Sequence, residues 1–340
     1  MKNKPVLEVT GLTKHYKNRR GTIKAVDGIS FEVFPGEVVG FLGPNGAGKT
    51  TAIKAITGLA DYTGIIKIDG VDLKTDHVGA LRSLGAIVEN PDFYLKKSAE
   101  WNLKYLASLS DESDLRKGCP DGEKLGKIID YRVAKALAAV GLTGRKDSAV
   151  KSFSLGMKQR LGIAQTLITE PKLLILDEPA NGLDPDGIKE IRDLIRRTAD
   201  SGCGVLVSSH QLHEMQLMCD RVLIISSGKI AAALSIDELG TNSGGRAIDV
   251  KTDDPAAAKE ILIGKFDVTD VRVSAKAIRF RTSAALSDVT RELVMGGVNV
   301  YGVSEEEVSL EDVFMSSVHG DGKAEPLSAA DAERRSDDVR

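Results

Sequence analysis

The chain shows two patterns of hydrophobic and polar residues, and the change between them lies near residue 246. Before that point, short apolar runs at 38–42, 173–176, 204–208 and 222–225 alternate with stretches in which apolar residues recur every three or four positions. Short apolar runs predict buried strands, and the helical spacing predicts helices that cover them. Strand and helix in this alternation are typical of a doubly wound α/β core with a parallel sheet.

Further elements are predicted around this core. Alternating apolar and polar residues at 7–10 and 29–33 predict half-buried strands near the start of the chain. The region of about 90–165 is predicted to form a mostly helical subdomain, with an exposed polar insertion from Ser110 to Gly126. We therefore expect a first domain over residues 1–240.

The final part of the chain has a different character. From 246 to 318, short alternating segments and small helices predict the order β-α-β-β-α-β, which resembles a ferredoxin-like α+β module. Residues 319–340 are rich in glycine, serine, alanine and charge, which predicts a disordered tail. Neither region contains a group of residues typical of a catalytic site.

Composition limits the classes of function. Among 340 residues, 46 are basic and 49 acidic, and the net charge of −3 provides no basic field, so we expect no nucleic-acid partner. Three cysteines without C-x-x-C spacing do not favour a disulfide framework or a zinc site. No apolar run approaches the ~20 residues that cross a bilayer, and the start of the chain lacks the apolar segment of a secretory signal. Any membrane role is therefore expected to come through a partner.

One glycine-rich segment follows the apolar run at 38–42 and precedes a predicted helix. Small residues there let successive backbone N–H groups point inward, and the N-terminus of the following helix adds a partial positive charge. Lys49 supplies a full charge to the β- and γ-phosphates, and the hydroxyl of Thr50 can hold Mg²⁺. The spacing G-x-x-x-x-G-K-T thus predicts a nucleotide site rather than a plain connector. Its expected members are Gly43, Pro44, Asn45, Gly46, Ala47, Gly48, Lys49, Thr50 and Thr51.

Acidic and aromatic residues elsewhere in the chain complete the candidate chemistry. A later apolar run ends in Asp177 and Glu178, at the strand end where open α/β sheets bind ligands. We expect Asp177 to bind Mg²⁺ and Glu178 to take a proton from the water that attacks the γ-phosphate. His210 ends the next strand and should contact the γ-phosphate or Glu178, whereas a metal pair with His213 lacks a further ligand. Tyr16 is either a partly packed surface residue or a stacking partner for adenine.

The segment 153–160, Phe-Ser-Leu-Gly-Met-Lys-Gln-Arg, resembles the signature of ATP-binding-cassette (ABC) ATPases, and it precedes the aspartate-glutamate strand as in that family. The resemblance extends over about 6–230 and implies a P-loop NTPase core with an antiparallel β subdomain and a helical subdomain, and ATP and Mg²⁺ as cofactors. The matching motifs are the aromatic loop at Tyr16, Walker A at 43–51, Walker B at 173–178, the D-loop at 181–184 and the switch histidine at His210.

The resemblance also implies an assembly. Two such domains stack head to tail, and each closes Ser154 and Gly156 over ATP held by the phosphate loop of the other. One copy of every motif implies a homodimer, or a heterodimer with a similar ATPase subunit. Two departures stand out: Glu89 takes the place of the Q-loop glutamine that touches Mg²⁺, and Leu155 and Met157 replace a glycine and a glutamine of the signature. A carboxylate still suits a hard cation.

A finer resemblance is to bacterial export ATPases of the bacitracin and lantibiotic type. It rests on the wording of the signature, on the Glu-Asn-Pro loop at 89–91 and on the segment 309–314. It implies a cytoplasmic subunit, peripheral on the inner face of the membrane, that drives a separate transmembrane permease for drugs, peptide antibiotics or lipid-like cargo. The alternatives are a soluble ABC ATPase acting on ribosomes or DNA and a small-molecule P-loop kinase. The chain has neither a second cassette nor a long coiled coil, and the signature segment argues against a kinase.

Overall fold

The computed structural model describes residues 4–18, 21–236 and 246–306, and the two residues 310 and 314. Contacts divide the chain into two compact units, one ending at Ala233 and one beginning at Leu234. The predicted end of the first domain at 240 and the predicted tail at 319–340 lie outside the described residues. Within the described part of the chain, no helix combines the length and the apolar character needed to span a membrane.

The described residues up to 236 form ten strands and eight α-helices. The strands are β1 Leu7–Asn18, β2 Gly21–Val33, β3 Val38–Leu42, β4 Thr63–Ile68, β5 Val71–Asp72, β6 Leu84–Ile87, β7 Leu173–Asp177, β8 Gly204–Ser209, β9 Arg221–Ser226 and β10 Lys229–Ser235. The helices are α1 Lys49–Ile56, α2 His77–Leu81, α3 Ala99–Ala107, α4 Glu112–Leu115, α5 Leu125–Ala139, α6 Leu155–Leu167, α7 Pro185–Asp200 and α8 Leu212–Met218.

An antiparallel sheet has the strand order β2-β1-β4-β5. Buried and exposed residues alternate along the second half of β2, because one face of the sheet packs on the core and the other faces water. Phe31 of β2 meets Phe41 of β3 edge to face, with ring centroids 5.0 Å apart. This contact joins the antiparallel sheet to the central sheet.

The central sheet has the order β10-β9-β3-β8-β7-β6. Strand β3 pairs in parallel with both β8 and β9, and β6, β7 and β8 are also parallel neighbours. All positions of β3, β7 and β8 are buried, as expected where helices cover both faces of a parallel sheet. The carboxyl ends of β3, β6, β7 and β8 therefore meet at one edge, which is where such sheets bind ligands.

Helices α3, α4, α5 and α6 form the predicted helical region. The prediction of an exposed insertion over 110–126 is wrong at α4, because Asp114 and Leu115 are buried. The guanidinium Nε–H of Arg132, on α5, donates to the carbonyl oxygen of Leu115 at 3.2 Å. Because the segment is mostly polar, its sequence did not indicate that Leu115 is buried. The backbone of Leu115 attaches the segment to α5 through this hydrogen bond.

The second unit has the predicted order of elements: β11 Arg246–Thr252, α9 Pro255–Lys265, β12 Val268–Val273, β13 Ala277–Thr282, α10 Leu286–Met295 and β14 Val300–Glu306. Its antiparallel sheet has the order β12-β13-β11-β14, which is the ferredoxin-like arrangement. Ile248, Phe280 and Leu293 are fully buried in a core of its own. The predicted α/β fold with a small α+β module is confirmed.

Gly40 of β3 provides a test of the central packing. A Cβ there would lie 2.6 Å from Met215 Sδ and 2.8 Å from Cys219 Sγ, so Gly40→Ala should lower the free energy of unfolding by about 1–3 kcal/mol through overpacking. The matched control is Gly126→Ala in α5, where no described atom lies within 4 Å of the added methyl group and alanine favours a helix by about 1 kcal/mol. Urea unfolding measures both variants, and an equal loss of stability in both would contradict the close packing at Gly40.

Candidate nucleotide-binding site

The glycine-rich segment runs from the carboxyl end of β3 to the start of α1, which begins at Lys49. Two of its glycines are required by close backbone approach: a Cβ on Gly43 would lie 2.3 Å from the carbonyl oxygen of Ile225, and one on Gly48 would lie 2.3 Å from that of Ala25. Gly48 also has φ of +114°, a conformation that glycine adopts without strain. The sequence therefore folds into a tight loop against neighbouring backbone.

A cavity of about 380 Å³, here called the loop cavity, opens above this segment. All the predicted loop residues line it except Gly43, and Glu178 and His210 line it as well. Two lining residues, Ala25 and Asn181, were not among the predicted site residues. Asn181 carries a sequence signal, since it opens the segment that resembles the family D-loop, whereas Ala25 carries none.

Lys49 is the central charge of the loop cavity. Its side chain is only 5% exposed, and its ammonium group donates to the carbonyl oxygen of Gly43 at 2.6 Å and to that of Pro44 at 3.4 Å. The same nitrogen lies 3.5 Å from Glu178 Oε1. Helix α1, which the structure describes in full, has neither a side-chain cap nor an acidic residue in its first turn. Its first N–H groups are thus available to an anion, and the loop fits the phosphates of a nucleotide.

Glu178 follows β7 directly and has φ of +49°, which is uncommon for a residue with a side chain. Its N–H donates to the hydroxyl oxygen of Ser208 at 2.9 Å. Oε1 of Glu178 is the carboxylate oxygen near Lys49, and Oε2 lies 2.8 Å from Nδ1 of His210. The carboxylate therefore lies between Lys49 and His210 in the lining of the loop cavity.

Ser208 is a residue that sequence reasoning missed. It is fully buried, donates its hydroxyl to Asp177 Oδ1 and accepts the N–H of Glu178. It thereby fixes both acidic residues at the end of β7. The parallel register pairs Asp177 with Ser208, and that register is not readable from either strand alone.

The three predicted metal-binding residues come from three different elements: Thr50 lies on α1, Asp177 ends β7 and Glu89 follows β6. Thr50 lines the loop cavity, whereas Asp177 is buried beside Ser208 and does not line it. Within the described residues, no group of three or more His, Cys, Asp or Glu side chains is arranged to hold a metal ion. His210 and His213 therefore belong to no such group. The hydroxyl of Thr50 and the carboxylate of Asp177 are hard oxygen donors that suit Mg²⁺, which in such sites takes further ligands from phosphates and water.

Glu89, the third predicted metal-binding residue, forms an ion pair with Lys54. Its Oε1 lies 2.7 Å from Nζ of Lys54 on α1. This hydrogen bond, with the charge of the lysine, lowers the pKa of the Glu89 carboxyl, and the same contact raises the pKa of the Lys54 amine. Both groups are thus charged at neutral pH.

Tyr16 does not line the loop cavity. It lines a separate cavity of about 660 Å³ together with Lys14 and Lys54, and the ammonium of Lys14 lies 5.1 Å from the centroid of its ring. The tyrosine is 43% exposed. The contact with Lys14 is a cation–π interaction on one face of its ring. Stacking of Tyr16 on adenine stays a prediction.

The signature segment lies at the start of α6. Ser154 is the N-cap residue of that helix, and its hydroxyl accepts the N–H of Met157 at 3.2 Å. Gly156 packs beside Leu183, whose Cδ2 would lie 3.7 Å from a Cβ at that position. Neither Ser154 nor Gly156 lines the loop cavity. The chain therefore does not bring its own signature segment to its own phosphate loop.

Comparison with known proteins identifies the family. The model of the family described as ABC transporter matches residues 26–181. The chain is 38% identical over 319 residues to the uncharacterized ABC transporter ATP-binding protein YhcH of Bacillus subtilis, covering 92% of this chain and 95% of that protein. It is 34% identical over 322 residues to the bacitracin transport ATP-binding protein BcrA of Enterococcus faecalis, covering 94% and 98% of the two chains. It is 39% identical over 226 residues to the lantibiotic transport ATP-binding protein SrtF of Streptococcus pyogenes, covering 66% and 89%.

A solved structure agrees with these relatives. The structure of cbiO1 from Clostridium perfringens, part of the ABC transporter complex cbiONQ, superposes with a TM-score of 0.60 at 28% identity and covers 70% of this chain and 91% of that one. The predicted resemblance to ABC ATPases, and to the bacitracin and lantibiotic type among them, is confirmed. The order of the motifs, the α/β fold around the loop cavity and the similarity over nearly the whole chain show that it belongs to the family of ABC transporter ATP-binding proteins.

Proposed function

We propose that this chain binds ATP and Mg²⁺ between two ATPase subunits and hydrolyses the ATP to drive export through a separate transmembrane permease. The observation that carries the proposal is the division of the site. Lys49 and Glu178 line the loop cavity, whereas Ser154 and Gly156 lie outside it. A second copy, or a similar subunit, would supply its own Ser154 segment to the nucleotide, so ATP would hold the two subunits together.

Within each half-site, the chain's residues have distinct proposed roles. Lys49 and the first N–H groups of α1 bind the phosphates, and Thr50 and Asp177 supply oxygen ligands for Mg²⁺. Glu178 accepts the proton of the attacking water, and His210, 2.8 Å from the carboxylate, orients that carboxylate toward the γ-phosphate. Hydrolysis removes the bridging phosphate and lets the two subunits separate.

The direction of transport is argued from the relatives. Two of the similar proteins are named for the transport of bacitracin and of a lantibiotic, both of them peptide antibiotics. We infer export of a drug, a peptide antibiotic or a lipid-like molecule, with the chain attached to the inner face of the membrane through its permease. The permease would choose the cargo, because the chain itself supplies the nucleotide chemistry.

Co-purification tests the transporter role. The tagged chain, extracted from its own cells in mild detergent, should bring down a polytopic membrane protein in a fixed ratio. Mass spectrometry identifies the bound proteins, and the Lys49→Ala variant serves as a control for nucleotide-dependent contacts. Recovery of ribosomes alone, with no membrane protein, would overturn the proposal in favour of a soluble ABC ATPase.

Glu178→Gln should keep ATP binding and lower the rate of hydrolysis by roughly 10² to 10⁴, the usual contribution of a positioned base. The same variant should form an ATP-dependent dimer, measured by light scattering during gel filtration. Glu123→Gln, which removes a carboxylate from the surface ion pair with Lys127, is the matched control and should hydrolyse ATP at the parental rate. Full activity of Glu178→Gln would show that another group is the base.

Lys49→Ala should weaken nucleotide binding by roughly 10- to 100-fold, since a charge-assisted hydrogen bond to phosphate is lost. Isothermal titration calorimetry measures the affinity, and circular dichroism checks that the variant, which loses a buried contact, is folded. Lys127→Ala, at an exposed lysine of α5, should bind nucleotide as the parental chain does. Equal affinities of the two variants would contradict the assignment of the loop.

A further inference from the structure

Ser208 is a fully buried polar residue at the end of an apolar run. It follows Val205, Leu206 and Val207 in β8, and none of its surface is exposed. A buried hydroxyl group is costly unless its hydrogen bonds are made, and valine or isoleucine has a better propensity for such a strand. Packing and strand formation therefore do not explain a serine at this position, whereas its hydrogen bonds do.

The hydroxyl group of Ser208 is held in one direction. An ionised carboxylate can only accept hydrogen bonds, so the single hydroxyl proton is donated to Asp177 Oδ1. The lone pairs of the same oxygen are left for the backbone N–H of Glu178, whose nitrogen lies 2.9 Å away. Asp177, itself only 8% exposed, thus anchors the hydroxyl group, and the hydroxyl group in turn holds the backbone of Glu178.

Both oxygens of Ser208 accept the N–H of Glu178. The carbonyl oxygen accepts it at 3.2 Å, which continues the parallel pairing of β7 with β8. The bond to the hydroxyl oxygen is additional and depends on the side chain. Glu178 has φ of +49°, and a left-handed conformation at a residue with a side chain persists only where surrounding contacts enforce it. The hydroxyl group of Ser208 is one such contact.

Strand β8 and the residue after it restrain Glu178 at both of its ends. Ser208 contacts the backbone N–H, and His210, two residues later, lies 2.8 Å from the carboxylate. Glu178 and His210 line the loop cavity, whereas Ser208 does not. Because Ser208 has no exposed surface, it affects a reaction in the loop cavity only through the residues that it holds.

Resting on the proposed function, in which Glu178 is the base, we propose that Ser208 is a positioning residue for ATP hydrolysis. Its hydroxyl group, anchored by Asp177, sets the backbone of Glu178 so that the carboxylate reaches the attacking water. Without the hydroxyl group, Glu178 keeps the carbonyl bond and its contacts with Lys49 and His210, but its backbone is free to leave the left-handed conformation. A displacement of about 1 Å in a catalytic group costs up to roughly 10²-fold in rate.

The first experiment separates turnover from binding in the purified full chain. Ser208→Ala should lower kcat by roughly 10- to 100-fold and leave the affinity for ATP, measured by calorimetry, within about twofold of the parental value. The variant should also form the ATP-dependent dimer. A parental kcat would overturn the proposal. A loss of ATP affinity as large as the loss of kcat would also overturn it, since Ser208 would then act on binding.

The matched control removes another buried hydroxyl group. Thr198, on α7, is 7% exposed and donates to the carbonyl oxygen of Leu194 in the same helix at 2.8 Å. Thr198→Val keeps the shape of this side chain and should hydrolyse ATP at the parental rate. An equal loss of kcat in Thr198→Val and Ser208→Ala would show a general effect of buried hydroxyl groups on stability, and this would overturn a specific role of Ser208.

The second experiment tests whether the effect passes through Glu178. In a Glu178→Gln background no base is left to position, so adding Ser208→Ala should lower the residual rate by less than about twofold. The same fold loss in both backgrounds would show that Ser208 acts independently of Glu178 and would overturn the proposal.

A second variant covers the case in which Ser208→Ala does not fold, which circular dichroism detects. Ser208→Cys fills the position with a weakly hydrogen-bonding thiol and should also lower kcat, by about tenfold or more. A parental kcat in Ser208→Cys would overturn the proposal. Full activity of Glu178→Gln would overturn the proposed base and this positioning role together, whereas full activity of Ser208→Ala alone would overturn only the positioning role.

Discussion

The structure of the first unit depends on the compensation of one buried positive charge. Lys49 is almost fully removed from water, and an ammonium group in that position is costly unless hydrogen bonds and an opposite charge compensate it. The carbonyl oxygens of Gly43 and Pro44 and the carboxylate of Glu178 do so. A loop that brings its own carbonyl oxygens to the lysine must curl tightly, and this explains the glycines that touch neighbouring backbone.

The parallel sheet explains why acidic residues surround that charge. Because β6, β7 and β8 are parallel neighbours, the residues that follow them emerge at the same edge as the loop after β3. Glu89, Glu178 and His210 come from three different parts of the sequence and meet α1 or each other there. The left-handed backbone at both glutamates turns their carboxylates toward lysines of α1 immediately after each strand ends.

The phosphate loop and the signature segment lie on different helices, the first before α1 and the second at the start of α6. The signature segment caps its own helix through Ser154, and the contacts of Asn90 and Pro91 with α6 are the route by which the loop after β6 reaches that helix. Charge is thus concentrated at α1, while α6 is bound to this loop by an amide hydrogen bond and by packing.

Much of the molecule was determined by the sequence itself, namely those features in which neighbouring residues fix the structure. The phosphate loop, the pair Asp177–Glu178, the family and the order of elements in the ferredoxin-like module follow from local spacing, because hydrophobic period and glycine positions act over a few residues. Tertiary structure alone decided the contacts between distant segments. Ser208 beneath both acidic residues, Lys54 on Glu89 and the burial of Leu115 depend on strand order, register and helix packing. A one-residue change of register would reverse the faces of a strand, and no local pattern specifies which strands become neighbours.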